Sequence, residues 1–221
     1  MATVKDIRLK IIDAKLAREF VRKHHYSGKV AMNSQLHIGA FLHGRLHGAM
    51  QFGPSLDKKK LINTVAGTGW NEFIELNRMA FDDVLPRNSE SRCIAVAMKL
   101  IRKNAPHIKW VITFADGTQC GDGTIYRASG FKLLQIKENS GIRINPKTGE
   151  RVHNMTAFHN MTAFTSKIED FSKWEKAIGF QLKYIYFIDP KCESRLTVPV
   201  LPFSEIDKRG ARMYKGNAPE A

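Results

Sequence analysis

The stretch FIELNRMAF at residues 73–81, followed by PRNSE at residues 86–90, decides the fold that this sequence predicts. The first segment has the apolar and polar alternation of a β-strand. The second opens a helix, because a proline lead-in, an Asn or Ser cap and an acidic first turn precede an apolar face at residues 93–101. A buried strand over residues 110–114 follows, so strand, helix and strand alternate at the centre of the chain.

Outward from this centre, the hydrophobic pattern continues to switch between strand and helix periods. Upstream it predicts a strand within 4–12, a helix over 16–24 capped by Asp13, and a hairpin that turns at His43-Gly44 between strands at 36–42 and 46–52. Downstream it predicts a helix at 124–128, strands at 132–136 and 182–188, a hairpin turning at 145–149, and a late helix through Phe171, Trp174 and Ile178. The fold class is therefore α/β, a mixed sheet flanked by helices, and the lack of a Gly-x-Gly-x-x-Gly motif or a P-loop argues against a Rossmann fold.

Length and composition favour one globular domain. The 221 residues are 43% hydrophobic and 25% charged, which excludes disordered, collagen-like and coiled-coil proteins. We expect a single domain over residues 1–203, with a core at about 4–136 and a C-terminal elaboration at 137–203. Residues 204–221 are polar and predict a flexible tail. The hexapeptide HNMTAF occurs twice in tandem at 153–164, which predicts a lengthened loop or strand edge.

The net charge of +14, from 35 Lys and Arg against 21 Asp and Glu, indicates a polyanionic partner. Basic groups are spread over several segments, which suits the backbone of double-stranded DNA better than a single disordered arm does. A basic protein that uses its charge only for solubility is the alternative. No apolar run reaches the length of a membrane span, and the N-terminus lacks the shape of a signal peptide, so we expect no membrane partner and a cytoplasmic protein.

Cysteine and histidine spacing gives little sign of a metal. The three cysteines, Cys93, Cys120 and Cys192, have no CxxC spacing, and none of the eight histidines is in a His-Glu-x-x-His pattern. Most of these histidines are typical of surface or core positions. His25 is the exception that we retain as a candidate ligand or site residue, because it lies beside Tyr26 where a helix passes into a loop.

Three segments at the ends of predicted strands and helices carry candidate chemistry. Glu75 and Arg78 are solvated if their strand lies at an edge, and are buried charges that need partners if it is central. The helix start at residues 87–91 offers free N–H groups to an anion, or is an ordinary capped helix. Asp116 ends a hydrophobic strand, where it is either a general base in a crevice or a turn-forming residue.

Six ordered blocks together resemble the Mom family of phage DNA-modification proteins. They are His25-Tyr26-Ser27, the segment GAMQFG at 48–53, ELNRM at 75–79, PRNSES at 86–91, FAD at 114–116 and GTIYRA at 123–128. The resemblance covers about residues 20–135. It implies a fold like that of the GNAT acetyltransferases, and conversion of adenine in DNA to its N6-carbamoylmethyl derivative, which shields phage DNA from host restriction. It also implies a phage-encoded transferase in the host cytoplasm.

The resemblance further implies site residues. Asp116, Tyr126, Arg78 and Ser91 fall on positions thought to be catalytic, and His25 and Tyr26 line the same cleft, with Glu75 assigned to base binding. In this interpretation Asp116 accepts a proton from the exocyclic amine or hydrogen-bonds it, Tyr126 is the general acid, and Arg78 steadies negative charge. The aromatic rings of Tyr26, Phe52, Trp70 and Tyr126 are candidates for stacking on an extruded base.

The donor and the metal are open. An acetyl-CoA-type donor and iron are both associated with the family, and iron would fall to His25. The usual GNAT pyrophosphate loop is absent, and Arg87, Asn88 and Ser89 stand in its place as donor-binding candidates, so a CoA thioester, an aminoacylated carrier or another glycine-derived donor is open. A homodimer is also open. The rival functions are a GNAT enzyme acting on a protein or small amine, and a non-catalytic DNA-binding protein.

Overall fold

The computed structural model describes residues 2–139, 141–154 and 171–213. The chain divides into two compact units. Unit 1 comprises Met1–Phe114, Gly123–Gln135 and Lys183–Phe203, and unit 2 comprises Ala115–Asp122, Ile136–Leu182 and Ser204–Ala221. Within the described residues, no helix combines the length and apolarity required to cross a bilayer.

The described elements largely follow the predicted order. They are β1 (Arg8–Ile11), α1 (Ala14–His24), β2 (Leu36–Leu42), β3 (Arg45–Gly53), α2 (Lys58–Leu61), β4 (Phe73–Phe81), α3 (Ser89–Asn104), β5 (Trp110–Asp116), α4 (Thr124–Ala128), β6 (Lys132–Glu138), β7 (Ile142–Ile144), β8 (Arg151–His153), β9 (Glu175–Lys176), β10 (Phe180–Phe187) and α5 (Ser204–Lys208). Short 3₁₀ turns lie at Val4–Asp6, Ile62–Thr64, Phe171–Lys173 and Pro190–Arg195. The late helix predicted through Phe171, Trp174 and Ile178 is wrong, because a 3₁₀ turn and β9 occupy this segment and Ile178 is 73% exposed.

Seven strands form one mixed sheet in the order β1-β2-β3-β4-β5-β10-β6. The first four strands pair antiparallel in succession, and β4 pairs parallel with β5. The predicted α/β mixed sheet is therefore confirmed. Since β4 lies between β3 and β5, it is a central strand, and the charged side chains of Glu75 and Arg78 need partners within the protein.

Near its middle, β4 shifts its register with β3 and its pairing with β5 ends. Gln51 of β3 lies opposite Arg78, whereas the next residue, Phe52, lies opposite Leu76. Asn77 is thus an extra residue, which makes a β-bulge that bends the strand and re-aims its side chains. The pairing of β4 with β5 ends just before this bulge, at Glu75 and Ile112. The C-terminal half of β4, which leads towards the start of α3, therefore diverges from β5.

Two apolar clusters hold unit 1 together. α1 buries Ala17 and Val21 against Ala49 and Ala80 of the sheet. In the second cluster, the rings of Phe73 and Trp110 stack with centroids 4.2 Å apart, and the Trp110 Nε1 donates a hydrogen bond to Thr68 Oγ1. Because Phe73 and Trp110 are also paired across β4 and β5, this cluster fixes the two strands together on the N-terminal side of the point where they diverge.

Unit 2 contains a small antiparallel sheet in the order β8-β7-β9. Ile142, Val152 and Trp174 are buried in it, and Arg143 Nη1 donates to the Trp174 carbonyl at 2.8 Å. Residues Ser204–Lys208 form α5 with Ile206 buried, where the composition predicted a flexible tail; residues 214–221 lie outside the described part. Of the tandem hexapeptides, the described part reaches only His153 and Asn154.

Candidate active site

The loop after α1 carries the first candidate side chains. Asp13 Oδ1 accepts a hydrogen bond from the Leu16 amide and caps α1 at its start. α1 ends at His24, and the next residue, His25, receives the Ser27 backbone N–H at its Nδ1 with a distance of 3.2 Å. The Ser27 hydroxyl lies 2.8 Å from the same nitrogen. Because Nδ1 accepts a backbone N–H, the proton of the neutral imidazole is on Nε2.

His25 is held in its neutral form. Burial, followed by the positive charge of Arg78, lowers the pKa of His25 to about 4. At neutral pH its Nε2–H is therefore a hydrogen-bond donor, and the ring is not available there as a cation. The ring of Tyr26 packs beside it, with centroids 4.2 Å apart.

Arg78 links β4 to this loop. Its Nε donates to the carbonyl of Lys29 at 3.3 Å, and its Nη1 donates to the carbonyl of Asn77, the bulge residue, at 2.6 Å. These bonds fix the guanidinium plane at the point where β4 leaves β5. Arg78 and His25 therefore lie close enough for the charge of Arg78 to lower the pKa of His25.

Glu75 lies on the same strand, before the bulge at Asn77. Burial raises the pKa of Glu75, although the nearby polar groups of Ser55 and Asn77 and the charge of Arg78 favour its ionised form. Neither Ser55 Oγ nor Asn77 Oδ1 has a hydrogen bond of good geometry to a described residue. The carboxyl is therefore a candidate proton acceptor or hydrogen-bond partner for a polar substrate.

A buried polar network supports the loop, and the sequence analysis missed it. Gln51 is fully buried, its Oε1 accepts from the Ala31 amide at 3.4 Å, and its Nε2 donates to Ser34 Oγ at 3.2 Å. The Ser34 hydroxyl in turn lies 3.0 Å from His37 Nε2 and donates to the Ala31 carbonyl. A Gln within the apolar run AMQF was the available signal, because a buried amide requires partners.

The start of α3 forms a separate pocket of about 360 Å³. Asn88 caps the helix in the left-handed region with φ 68°, and the buried hydroxyl of Ser89 donates to the Pro86 carbonyl. Ser91 Oγ donates to the Asn88 carbonyl at 3.2 Å. The Ser89 side chain is therefore committed to the turn, whereas Arg87 and Asn88 are exposed and the first-turn amides point out of the helix end.

Charges of both signs surround this pocket, because Asp82, Asp83 and Glu90 line it together with Arg87. Asp82 Oδ2 lies within hydrogen-bonding distance of His47 Nδ1, at 2.9 Å. An anionic ligand there would be held by main-chain N–H groups and Arg87, against some acidic repulsion.

Tyr126 belongs to the same part of unit 1. Its side chain is 9% exposed, and its ring packs against Phe131 and Tyr184 at centroid distances of 5.6 Å each. α4 is joined to the first turn of α3, because Ser129 Oγ donates to the Ser91 carbonyl at 3.3 Å. Ser91 and Tyr126 are therefore carried by two helices that contact one another.

Asp116 is described with unit 2. Its Oδ1 accepts from the Thr118 amide and from Asn139 Nδ2, both at 3.1 Å, and its Oδ2 accepts from Gln119 Nε2 at 3.1 Å. Its carbonyl also receives the amides of Gln119 and Cys120. Asp116 thus stabilises a turn, the role that the sequence left open beside that of a general base, and the three side-chain contacts fix the orientation of its carboxylate.

The residues around His25 do not fit an iron site. Among the described residues, no group of three or more His, Cys, Asp or Glu side chains is placed to hold a metal ion. The charge of the Arg78 guanidinium acts on His25 and would repel a cation there, and the Ser27 backbone N–H occupies the Nδ1 lone pair of His25. Phe52 was a candidate for base stacking and is fully buried, so that expectation is wrong, whereas Tyr26 and Trp70 are each about half exposed.

Comparison with known proteins agrees with the resemblance seen in the sequence. Residues 6–205 match the Mom protein family. The chain is 34% identical over 196 residues to the methylcarbamoylase Mom of Escherichia phage Mu, covering 87% of this chain and 80% of that protein. The match range includes every candidate residue from His25 to Tyr126.

Solved structures give weaker matches. A Bacillus subtilis acetyltransferase in complex with CoA aligns with a TM-score of 0.47 and 8% identity, covering 82% of this chain and 98% of that one. A Drosophila melanogaster polyamine N-acetyltransferase aligns with a TM-score of 0.47 and 12% identity, covering 82% of this chain and all of that one (100%).

Proposed function

Because the chain belongs to the Mom protein family, we propose that it is a transferase that converts adenine in phage DNA to its N6-carbamoylmethyl derivative. The modified DNA would resist host restriction, and the reaction would take place in the host cytoplasm. The relative in phage Mu is named as a methylcarbamoylase, which supports a group transfer of this class.

One structural observation carries the proposal. Main-chain pairing of β4 with β5 stops at Glu75 and Ile112, and Arg78 lies just beyond, tied to Lys29 and Asn77. A guanidinium fixed in this way stabilises a carbonyl oxygen that becomes negative during transfer, at little cost in reorganisation. The neutral His25 beside it supplies an Nε2–H, suited to a nitrogen acceptor of adenine or to the same carbonyl.

The start of α3 fits the charged part of an acyl or glycyl donor. Arg87 and the first-turn amides after Asn88 would hold an anion such as a pyrophosphate, and Ser91 lies at the same helix end. The acids in the pocket weaken that fit for a highly charged donor. Acetyl-CoA, an aminoacylated carrier and another glycine-derived donor share this requirement to different degrees. A glycine-derived donor contains the nitrogen of the carbamoylmethyl group, whereas the acetyl group of acetyl-CoA does not, so that donor would need a separate source of nitrogen.

The remaining residues have proposed roles in the same reaction. Asp116 accepts a proton from, or a hydrogen bond of, the N6 amine, and Tyr126 protonates the leaving group. Ser91 positions the donor. Glu75 and Tyr26 contact the base, Glu75 through a carboxyl whose pKa burial raises, and Tyr26 through its exposed ring.

The basic surface contacts the phosphates of the DNA. The exposed side of α1 carries Lys15, Arg22 and Lys23, and the whole chain has a net charge of +14. Contacts of lysine and arginine with phosphates release counterions, so binding should weaken steeply as salt rises. An acyltransferase that acts on a small amine lacks this salt dependence.

Mass spectrometry of nucleosides tests the proposal. Plasmid DNA from cells that express the wild type should contain a deoxyadenosine species of increased mass, which should be lost or strongly reduced in Asp116→Asn and Tyr126→Phe. Asp207→Asn, an exposed acid of unit 2, is the matched control and should keep full modification. Full modification by folded Asp116→Asn and Tyr126→Phe proteins would refute these roles. Unmodified DNA in cells with abundant soluble wild type and a competent donor supply would refute the function.

A further inference from the structure

A second pocket, of about 930 Å³, lies at the other end of α3 in unit 1. Residues of the last turns of α3, the ends of β3 and β4, and the segment 54–59 line it. The α3 pocket at Ser89 is about 20 Å away, because α3 has 16 residues and rises about 1.5 Å per residue. The larger pocket is therefore distinct from the donor site proposed above.

Aromatic and basic groups meet in this pocket. Trp70 is 52% exposed, and the Lys58 ammonium lies 4.8 Å from the centroid of its ring and 5.3 Å from that of Phe73. Burial lowers the pKa of Lys58, so its ammonium has lost part of its hydration and gains more from an anionic partner. Lys59 is exposed at the same rim, and the nearby Asp57 is neutralised by Lys60 at 2.8 Å. The rim is thus left with a net positive charge.

A buried hydroxyl supplies a polar contact inside the pocket. Ser55 is 5% exposed and lines the pocket, and its hydroxyl also interacts with the Glu75 carboxyl, whose pKa it lowers. A hydroxyl both donates and accepts hydrogen bonds, so it can contact the carboxyl and a ligand in the pocket at the same time. The exposed amide of Asn71 offers a second polar group.

From these features we infer that the pocket binds an unpaired nucleotide of the opened DNA. An exposed indole, two lysines and a hydroxyl fit a heterocycle that stacks, a phosphate that pairs with the ammonium groups, and a base edge that hydrogen-bonds. This inference rests on the proposed function, because modification of an adenine in duplex DNA requires the duplex to open. A distance of about 20 Å from the start of α3 places this nucleotide away from the donor site.

Tryptophan fluorescence isolates the pocket. Of the three tryptophans, Trp110 and Trp174 are buried and Trp70 is exposed, so quenching by DNA reports on Trp70. A dye-free single-stranded dodecamer should quench the wild type, and Trp70→Phe should keep near-normal affinity but lose the quenching. Trp70→Ala should bind the dodecamer roughly tenfold more weakly, because stacking on that ring is lost.

The salt dependence of DNA binding tests the role of Lys58 and Lys59. The double variant Lys58→Ala/Lys59→Ala should reduce the slope of log affinity against log salt for the dodecamer by about 1.4, since each of the two phosphate contacts on a single strand contributes about 0.7. The matched control is Lys99→Ala/Lys103→Ala, which removes two exposed lysines from α3 and should change the slope less. Circular dichroism confirms that each variant is folded.

The outcomes separate this inference from the proposed function. Absence of quenching in the wild type at saturating dodecamer, or an unchanged affinity of Trp70→Ala, would overturn the pocket assignment even when nucleoside analysis shows modified adenine. Equal quenching by heparin, a polyanion that contains no bases, would likewise overturn the pocket assignment. Quenching by the dodecamer that disappears in Trp70→Phe, with weaker binding in Trp70→Ala, supports it whether or not the modified base is found.

Discussion

The guanidinium of Arg78 donates from Nε to the backbone carbonyl of Lys29, 3.3 Å away and 49 residues earlier in the chain. This bond joins the central strand β4 to the loop that carries His25 and Tyr26. Burial is the main reason that His25 is neutral, and the charge of the same guanidinium adds to it. Arg78 therefore ties this loop to β4 and also favours the neutral form of His25.

Arg78→Lys should strongly reduce modification while the protein remains folded. Lysine keeps the charge but cannot donate to the carbonyls of Lys29 and Asn77 in the same planar arrangement. We expect a loss of about 100-fold or more in modification rate, the size seen when a fixed donor to a developing oxyanion is removed. Nucleoside mass spectrometry over an induction time course measures the rate. A lysine variant with near wild-type rate would contradict the role of guanidinium geometry.

His25 should make the protein less stable as the pH falls from about 6.5 to about 4. Its pKa is about 4 in the folded state against 6.5 for a solvent-exposed imidazole, so the unfolded chain binds the proton first as the pH falls. The stabilisation is present above pH 6.5 and is lost through this window, by up to about 3 kcal/mol. Urea unfolding at pH 7 and pH 4.5 measures it.

Two histidine variants test whether this pH dependence arises from His25. In His25→Asn, this pH-dependent part should be absent, so the variant should lose less stability between the two pH values than the wild type. His107→Asn, which changes an exposed histidine, serves as the control and should follow the wild-type pH curve. Equal pH dependence in His25→Asn and the wild type would show that His25 titrates normally.

Gln51→Leu should lower the free energy of unfolding by about 1–3 kcal/mol, because the Ala31 amide and Ser34 hydroxyl lose their buried partner. The same change should reduce modification, since the loop with His25 and Tyr26 is supported by this network. Gln135→Leu, on an exposed position of β6, is the matched control and should change neither. A Gln51→Leu protein of unchanged stability would mean that the network adds no net stabilisation.

Gly53→Ala should destabilise the fold by about 1–3 kcal/mol, the usual cost of forcing an extra methyl group into a packed site. A Cβ at residue 53 would lie 2.7 Å from the Ser34 Cα and 2.8 Å from the Asn33 carbonyl oxygen, and the backbone there has no room to move aside. Gly69→Ala is the control, because the three atoms nearest to its Cβ, each 3.3 Å away, belong to the flexible Glu72 side chain. Thermal unfolding of the two variants should therefore differ clearly in midpoint.

Local sequence patterns located β4 at residues 73–81 and the opening of α3, because hydrophobic period and capping residues act over a few neighbours. They failed at residues 171–178, where the apolar spacing fits a helix but Lys176 pairs with Arg143 in a strand. Such pairing between distant residues is invisible to local propensity. For the same reason the sequence named His25 and Arg78 as candidates but gave no sign of Lys29, whose backbone carbonyl completes the site.

The extra residue at Asn77 acts on β4 like a frameshift. Side chains alternate between the two faces of a strand, so every residue after the bulge faces opposite to where an uninterrupted strand would place it. Deleting Asn77 would restore an even count and send Arg78 to the other side of the sheet, while Phe73 and Trp110 upstream kept their stack. The part of β4 before the bulge therefore anchors the strand and the part after it presents Arg78, and one inserted residue is enough to uncouple the facing of the two parts.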